Sequence, residues 1–154
     1  MGSLLVGIDL VQISDVLGAI EQFGPRYLER VFTDGEISYC SQFEKGAAEH
    51  YASRFAAKEA TFKVLRLSDD SLVFRSVEVR REPSGHCQIV LHGEARELAE
   101  RAGIASLAVS MSHESDFATA VVVAELRGSR ASRISRRRPT ARRRLLGYRR
   151  GSKG

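Results

Sequence analysis

Two periods of apolar residues alternate along the first 126 positions, and the switches between them mark the elements. The run LLVGIDL (4–10) is apolar up to a charge at Asp9, the form of a buried strand leading into a site. Ile13, Val16, Leu17 and Ile20 then recur at helical spacing over residues 13–23. Thr33 followed three residues later by Glu36 is a capping box, predicting a short helix to about Phe43. The longest helical pattern covers about Ala47 to Leu65 without Pro or Gly. LVFRSVEVRR (72–81) alternates Val73, Arg75, Val77 and Val79, and HCQIVLH (86–92) follows a Pro-Ser-Gly turn, so the pair reads as a hairpin. EARELAERAG (94–103) is a helix closed by Gly103, and SLAVSM (106–111) with ATAVVVAEL (118–126) forms a second hairpin around SHESDF. Hairpins separated by helices, with no regular β-α-β alternation, define an α+β fold: a mainly antiparallel sheet packed against the long helix.

Charge is distributed unevenly over this pattern. From Arg127 onward the chain holds 12 of the 24 Lys and Arg and no acidic residue. Residues 1–126 carry the other twelve against 19 Asp and Glu, a formal charge of −7, hidden by the overall +5. A length of 154 residues with 43% apolar content fits one domain, here residues 1–126, followed by an Arg-rich tail at 127–154. The tail has no apolar period, so disorder is its expected state. Two cysteines, Cys40 and Cys87, are too few for a disulfide scaffold and match no metal motif. The N-terminus has no basic segment before its apolar run, Val6 stands where a myristoylation signal needs Ser or Thr, and no apolar run is long enough for a membrane span. These features predict a cytoplasmic protein with no membrane partner.

The long helix carries the candidate chemistry. At 100° per residue Tyr51, Phe55, Phe62 and Leu65 share one stripe, and Lys58 falls inside it. Glu59 and Lys63 pair at i,i+4 on one flank, Arg54 and Lys58 on the other. Solvated salt bridges, with Lys58 snorkelling past an aromatic core, explain this as well as a site does. Asp9, near the end of the first strand, is by itself better read as a helix cap or turn residue than as a ligand. Two carboxylates on rigid elements with Lys and Arg nearby nevertheless suit a Mg²⁺–phosphate site, because Mg²⁺ takes one or two carboxylates and completes its shell from water and phosphate. The cations would hold phosphate oxygens that the metal does not reach.

GIDLVQI (7–13), RVFTDGE (30–36), RFAAKEATFK (54–63) and VSMSHESDFATAVVVAE (109–125) together resemble the holo-acyl-carrier-protein synthases of the 4′-phosphopantetheinyl transferase superfamily. The blocks occur in the family's order and spacing across about residues 4–126. The resemblance implies transfer of phosphopantetheine from coenzyme A to a serine of an apo acyl carrier protein, with release of adenosine 3′,5′-bisphosphate, in fatty acid biosynthesis. It implies Asp9 and Glu59 as Mg²⁺ ligands, and Lys63 contacting the phosphates and stabilising charge on the transferred or leaving group. Arg54 and Lys58 fill the basic positions of the same block, Arg54 as the better phosphate candidate and Lys58 either orienting Glu59 or lining the cleft. His113 falls where the family keeps a histidine near the cofactor phosphates, for phosphate contact or for assistance to proton transfer from the carrier serine. A metal-held water or Glu59 are alternative acceptors of that proton. Lys45 is a further phosphate candidate, with a solvated lysine as the alternative. A homotrimer with sites between subunits is also implied.

Departures from the family are specific. The glycine-rich loop expected after the long helix reads LRLSDDSLVF, and the usual Gly-x-Pro turn is Gly85-His86-Cys87. Contacts to adenine and pantetheine are therefore not carried over. Where the family's first helix has an arginine that docks the acidic carrier, this chain has Asp15, with Arg26 and Arg30 farther on. Two further readings stay open: a transferase specialised for secondary-metabolite carriers, and nucleic-acid binding through the tail, where Tyr148 lies among the arginines. Against the second, the globule is acidic and has no recognisable nucleic-acid-reading fold, and an inactive relative is disfavoured by the retained Asp9, Glu59, Lys63 and His113.

Overall fold

The computed structural model describes residues 3–66 and 73–128. Strand β1 (Leu4–Gln12) runs directly into helix α1 (Ile13–Phe23), followed by α2 (Pro25–Val31), α3 (Asp34–Cys40) and the long α4 (Ala47–Leu65). Then come β2 (Val77–Arg81), β3 (Cys87–Leu91), α5 (Gly93–Arg101), β4 (Ile104–His113) and β5 (Phe117–Leu126). All strand pairs are antiparallel: a three-stranded sheet in the order β1-β5-β4 and a separate β2-β3 hairpin. Among the described residues no helix is long and apolar enough to cross a membrane.

Most elements lie where the pattern of apolar positions puts them, and three do not. Helix α2 is additional; Gly24, at φ +57°, breaks α1 and Pro25 starts α2 where its missing N–H costs nothing. Helix α3 stops at Cys40 instead of near Phe43. The strand expected from residue 72 begins at Val77, preceded by a single 3-10 turn over Phe74–Ser76 whose last hydroxyl donates to Val73 O at 2.5 Å. The capping box is present in full: Glu36 N–H donates to Thr33 Oγ1 (3.3 Å) and Thr33 N–H to Glu36 Oε2 (2.8 Å).

Small side chains set the distance between α4 and the sheet. Alternation along β5 turns Ala118, Ala120, Val122 and Ala124 toward the helix, and α4 answers with Ala56, Ala57 and Ala60, all buried. Gly7 of β1 is the tightest point: a Cβ there would stand 2.0 Å from the Ala60 carbonyl oxygen. Helix α4 is thus buried nearly all round, including Arg54 and Lys58, and a single aromatic stripe describes it poorly. The same alternation turns Leu4, Val6, Ile8 and Leu10 of β1 outward, each more than 60% exposed.

Candidate functional site

Strand parity delivers Asp9. It shares the helix-facing side of β1 with Gly7, and the close approach at Gly7 brings that side against α4 one turn before Lys63. Asp9 and Glu59 line one cavity of about 370 Å³, together with Asp15, Gln12, Tyr27 and Phe55. Lys63 Nζ reaches across from α4 to Asp9 Oδ1 (2.7 Å) and to the Ile8 carbonyl (2.8 Å). Thr119 of β5 donates to the Asp9 carbonyl at 2.8 Å, which locks the strand at this point. Lys63 remains half exposed and Asp9 only 18% exposed, so the ion pair sits at the rim of the cavity. Asp9, Glu59 and Lys63 are therefore brought together.

Lys58 is not with them. Its side chain is fully buried and its ammonium pairs with Glu36 Oε2 at 2.8 Å. It also donates to the Phe74 carbonyl (3.0 Å) and to the Val77 carbonyl. An ammonium has three protons, and these three acceptors use them all. Burial still lowers the Lys58 pKa, against the opposing pull of Glu36. The expectation that Lys58 binds cofactor or orients Glu59 is corrected: it is a structural ion. Glu36 completes the hub, because its Oε1 also accepts the Val79 N–H at 2.9 Å. One carboxylate thus joins α3, α4 and β2; the capping-box pattern revealed its first task and hid the other two.

Arg54 and His113 lie in a second cavity of about 160 Å³, also lined by Tyr39, His50, Ser53, Arg81, Cys87 and Met111. The separation from Glu59 follows from helix geometry: residues five apart on α4 point about 140° apart, with about 7.5 Å of rise between them. The two cavities share no lining residue. The Arg54 guanidinium lies over the Tyr39 ring (4.2 Å to its centroid) and donates from Nη1 to the His50 carbonyl (3.2 Å). Arg54 is only 3% exposed, and its buried Nε has no hydrogen-bond partner. Such an orphaned donor costs about 1–3 kcal/mol unless a ligand satisfies it. His113, the last residue of β4, holds its ring edge-on to His50 at 6.1 Å. Desolvation, with Arg54 and His113 beside it, lowers the His50 pKa. His50 and Arg81 went unnoticed in the sequence, and Cys87 was read only as one of two cysteines and as part of a turn, because the three come from separate elements and belong to no common spacing. Lys45 is exposed in the loop before α4 and lines neither cavity.

A carboxylate–lysine cleft lies on one flank of the long buried helix and an arginine–histidine pocket on another. The chain belongs to the 4′-phosphopantetheinyl transferase superfamily, whose family profile matches residues 5–122. Within it, the chain is an enzyme of the holo-[acyl-carrier-protein] synthase type. The synthase of Halothermothrix orenii is 37% identical over 120 residues, 78% of this chain and 95% of its own. That of Desulforudis audaxviator is 40% identical over 119 residues, 77% and 90% of the two chains. Among solved structures, a Chronobacterium ammoniagenes synthase in complex with coenzyme A superposes with a TM-score of 0.72 at 31% identity, over 82% of this chain and 99% of that one. The Helicobacter pylori enzyme, also in complex with coenzyme A, gives 0.68 at 32% identity over 78% and 99%.

Proposed function

We propose that this enzyme transfers 4′-phosphopantetheine from coenzyme A to a serine of an apo acyl carrier protein, releasing adenosine 3′,5′-bisphosphate. The observation that carries this reading is the convergence of Asp9 and Glu59 on one cavity with Lys63 at its rim. The donor set fits Mg²⁺: two carboxylates on rigid elements face one cavity, and water and phosphate oxygens would complete the shell. Bound there, the ion would neutralise pyrophosphate charge and hold it in place. Lys63, already within hydrogen-bond distance of Asp9, presents its ammonium to the oxygen on which negative charge develops. Arg54 and His113 hold a phosphate in their own pocket, where the Arg54 Nε supplies a ready donor. Reaction at phosphorus depends on positioning and charge neutralisation, and these residues supply both.

One chain presents the two halves on opposite flanks of α4, so a complete site needs another copy's Arg54 and His113 beside Asp9 and Glu59. The outward apolar face of β1 supports that assembly, since an apolar face on an edge strand is ordinarily covered. We assign it to a homotrimer, the assembly the family resemblance implies. The carrier docks at the groove of about 420 Å³ lined by Phe23, Tyr27, Arg26 and Arg30, which offers an acidic partner two cations beside an exposed ring.

The test is transfer to an apo carrier followed by the mass gain of the carrier. Asp9→Asn and Glu59→Gln each abolish it while denaturation midpoints stay close to wild type, and excess EDTA does the same. Full activity in either variant or in EDTA would overturn the metal assignment. Mixing inactive Asp9→Asn with inactive Arg54→Gln subunits regenerates activity if sites are shared between copies.

A further inference from the structure

The Arg54 pocket contains a thiol that the transfer reaction does not use. Cys87 opens β3 as the direct cross-strand partner of Arg81, the pair of the β2-β3 hairpin nearest its turn. Such partners carry their side chains on one face with Cβ atoms about 4.5–5.5 Å apart. Both line the cavity, together with Arg54, His50 and His113. Cys87 is partly exposed there, whereas Cys40 is wholly buried. Independently of the thiol, the 97%-buried Arg54 that lines the same cavity has an Nε without a hydrogen-bond partner, a donor that an anion would satisfy.

We propose that Cys87 is a modification site, forming a mixed disulfide with anionic low-molecular-weight disulfides whose carboxylates are held by Arg81 and Arg54. A partly exposed thiol among cations is the setting in which cysteines exchange. The Cys87 thiol loses its proton to solvent, and its Sγ attacks one sulfur of the disulfide. The Sγ–S bond forms as the old S–S bond breaks, and the departing thiolate takes the electron pair and then a proton. Cys87 is oxidised, one half of the disulfide is reduced, and no other oxidant is needed. The adduct fills the cavity. Its consequence for catalysis rests on the reading of that cavity as a phosphate pocket; its formation does not.

The experiment treats the full-length protein with glutathione disulfide, neutral 2-hydroxyethyl disulfide or cationic cystamine, and follows adduct formation by intact mass and peptide mapping. Glutathione adds once, at Cys87, is removed by dithiothreitol, and does not add to Cys87→Ser. It reacts about tenfold faster than the neutral disulfide at low salt, in line with electrostatic steering, and cystamine reacts slowest. Arg81→Gln removes most of the preference for glutathione and leaves the neutral reagent's rate unchanged, a result that separates charge from mere exposure. Equal rates for the three reagents, an unaltered preference in Arg81→Gln, or equal labelling of Cys40 would each overturn the proposal. Adenosine 3′,5′-bisphosphate is then added as competitor. If the adduct forms at an undiminished rate in its presence, the phosphate reading of the pocket fails and the thiol site stands.

Discussion

Replacing Lys58 by methionine tests whether this cation belongs to the fold or to the cleft. Methionine retains most of the apolar stem and removes the ammonium. The Glu36 carboxylate then stays buried without its counter-ion, and the Phe74 and Val77 carbonyls lose a donor. Removing one partner of a buried pair costs about 3–5 kcal/mol, out of a typical domain stability of about 5–15 kcal/mol. For a chain of this size that corresponds to a fall in Tm on the order of 10–20 °C. Urea denaturation at fixed protein concentration, with intrinsic tyrosine fluorescence as the signal, measures it directly. Glu36→Gln in the Lys58→Met background removes the stranded charge but leaves a single side-chain oxygen, so either Thr33 N–H or Val79 N–H loses its acceptor in both variants that carry the Glu36→Gln change. The double variant should cost at least 2 kcal/mol less than the sum of the singles, at the upper end of coupling between contacting residues, about 0.5–3 kcal/mol. Per folded molecule, turnover in Lys58→Met stays near wild type. A Lys58→Met protein with a wild-type midpoint and a raised KM for coenzyme A would refute the structural role and return this lysine to the cofactor.

Three other outcomes follow from particular contacts. Gly7→Ala drives a methyl into the Ala60 carbonyl and to 3.0 Å from Val64 Cγ2, which costs about 1–3 kcal/mol or more by urea denaturation and also lowers transfer by widening the Asp9–Glu59 spacing; unchanged stability would disprove the close approach. Arg26→Glu with Arg30→Glu raises the KM for an acidic carrier about tenfold at low salt, leaves the KM for coenzyme A unchanged, and loses its effect as salt increases; an unaltered carrier KM would move docking elsewhere. Burial pushes the Cys40 thiol up to about 11, opposed by Arg54, so the folded state holds this proton longer than the unfolded chain. Its contribution is therefore complete below about pH 8.5, the usual thiol pKa, and is lost as pH rises through 11. Cys40→Ala should flatten the alkaline slope of stability in that window, and an identical slope would exclude Cys40 as its source.

What the sequence determined by itself is local or periodic. The apolar and alternating runs located the strands, though not the start of β2, the uninterrupted stretch from Ala47 to Leu65 specified α4, and Thr33 with Glu36 specified the start of α3, because each depends on neighbours a few residues apart. Asp9, Glu59 and Lys63 were legible as one chemical set through the motif blocks that carry them, and the fold brings them to one rim. The tail at 127–154 lies, apart from Arg127 and Gly128, outside the described residues. Only the tertiary structure decided the fates of the remaining charges. Arg54, Lys58 and Glu59 lie within six residues on one helix, yet one enters the cavity lined by His50 and His113, one is sealed against Glu36, and one lines the carboxylate cleft. Helical spacing gives each side chain a direction but not the surface it meets. That surface comes from β1 with α1 for Glu59, from α3 with β2 for Lys58, and from the β2-β3 hairpin and β4 for Arg54. These partners are as many as 59 residues away, as His113 is from Arg54, so chain folding, not local pattern, settles what each charge does.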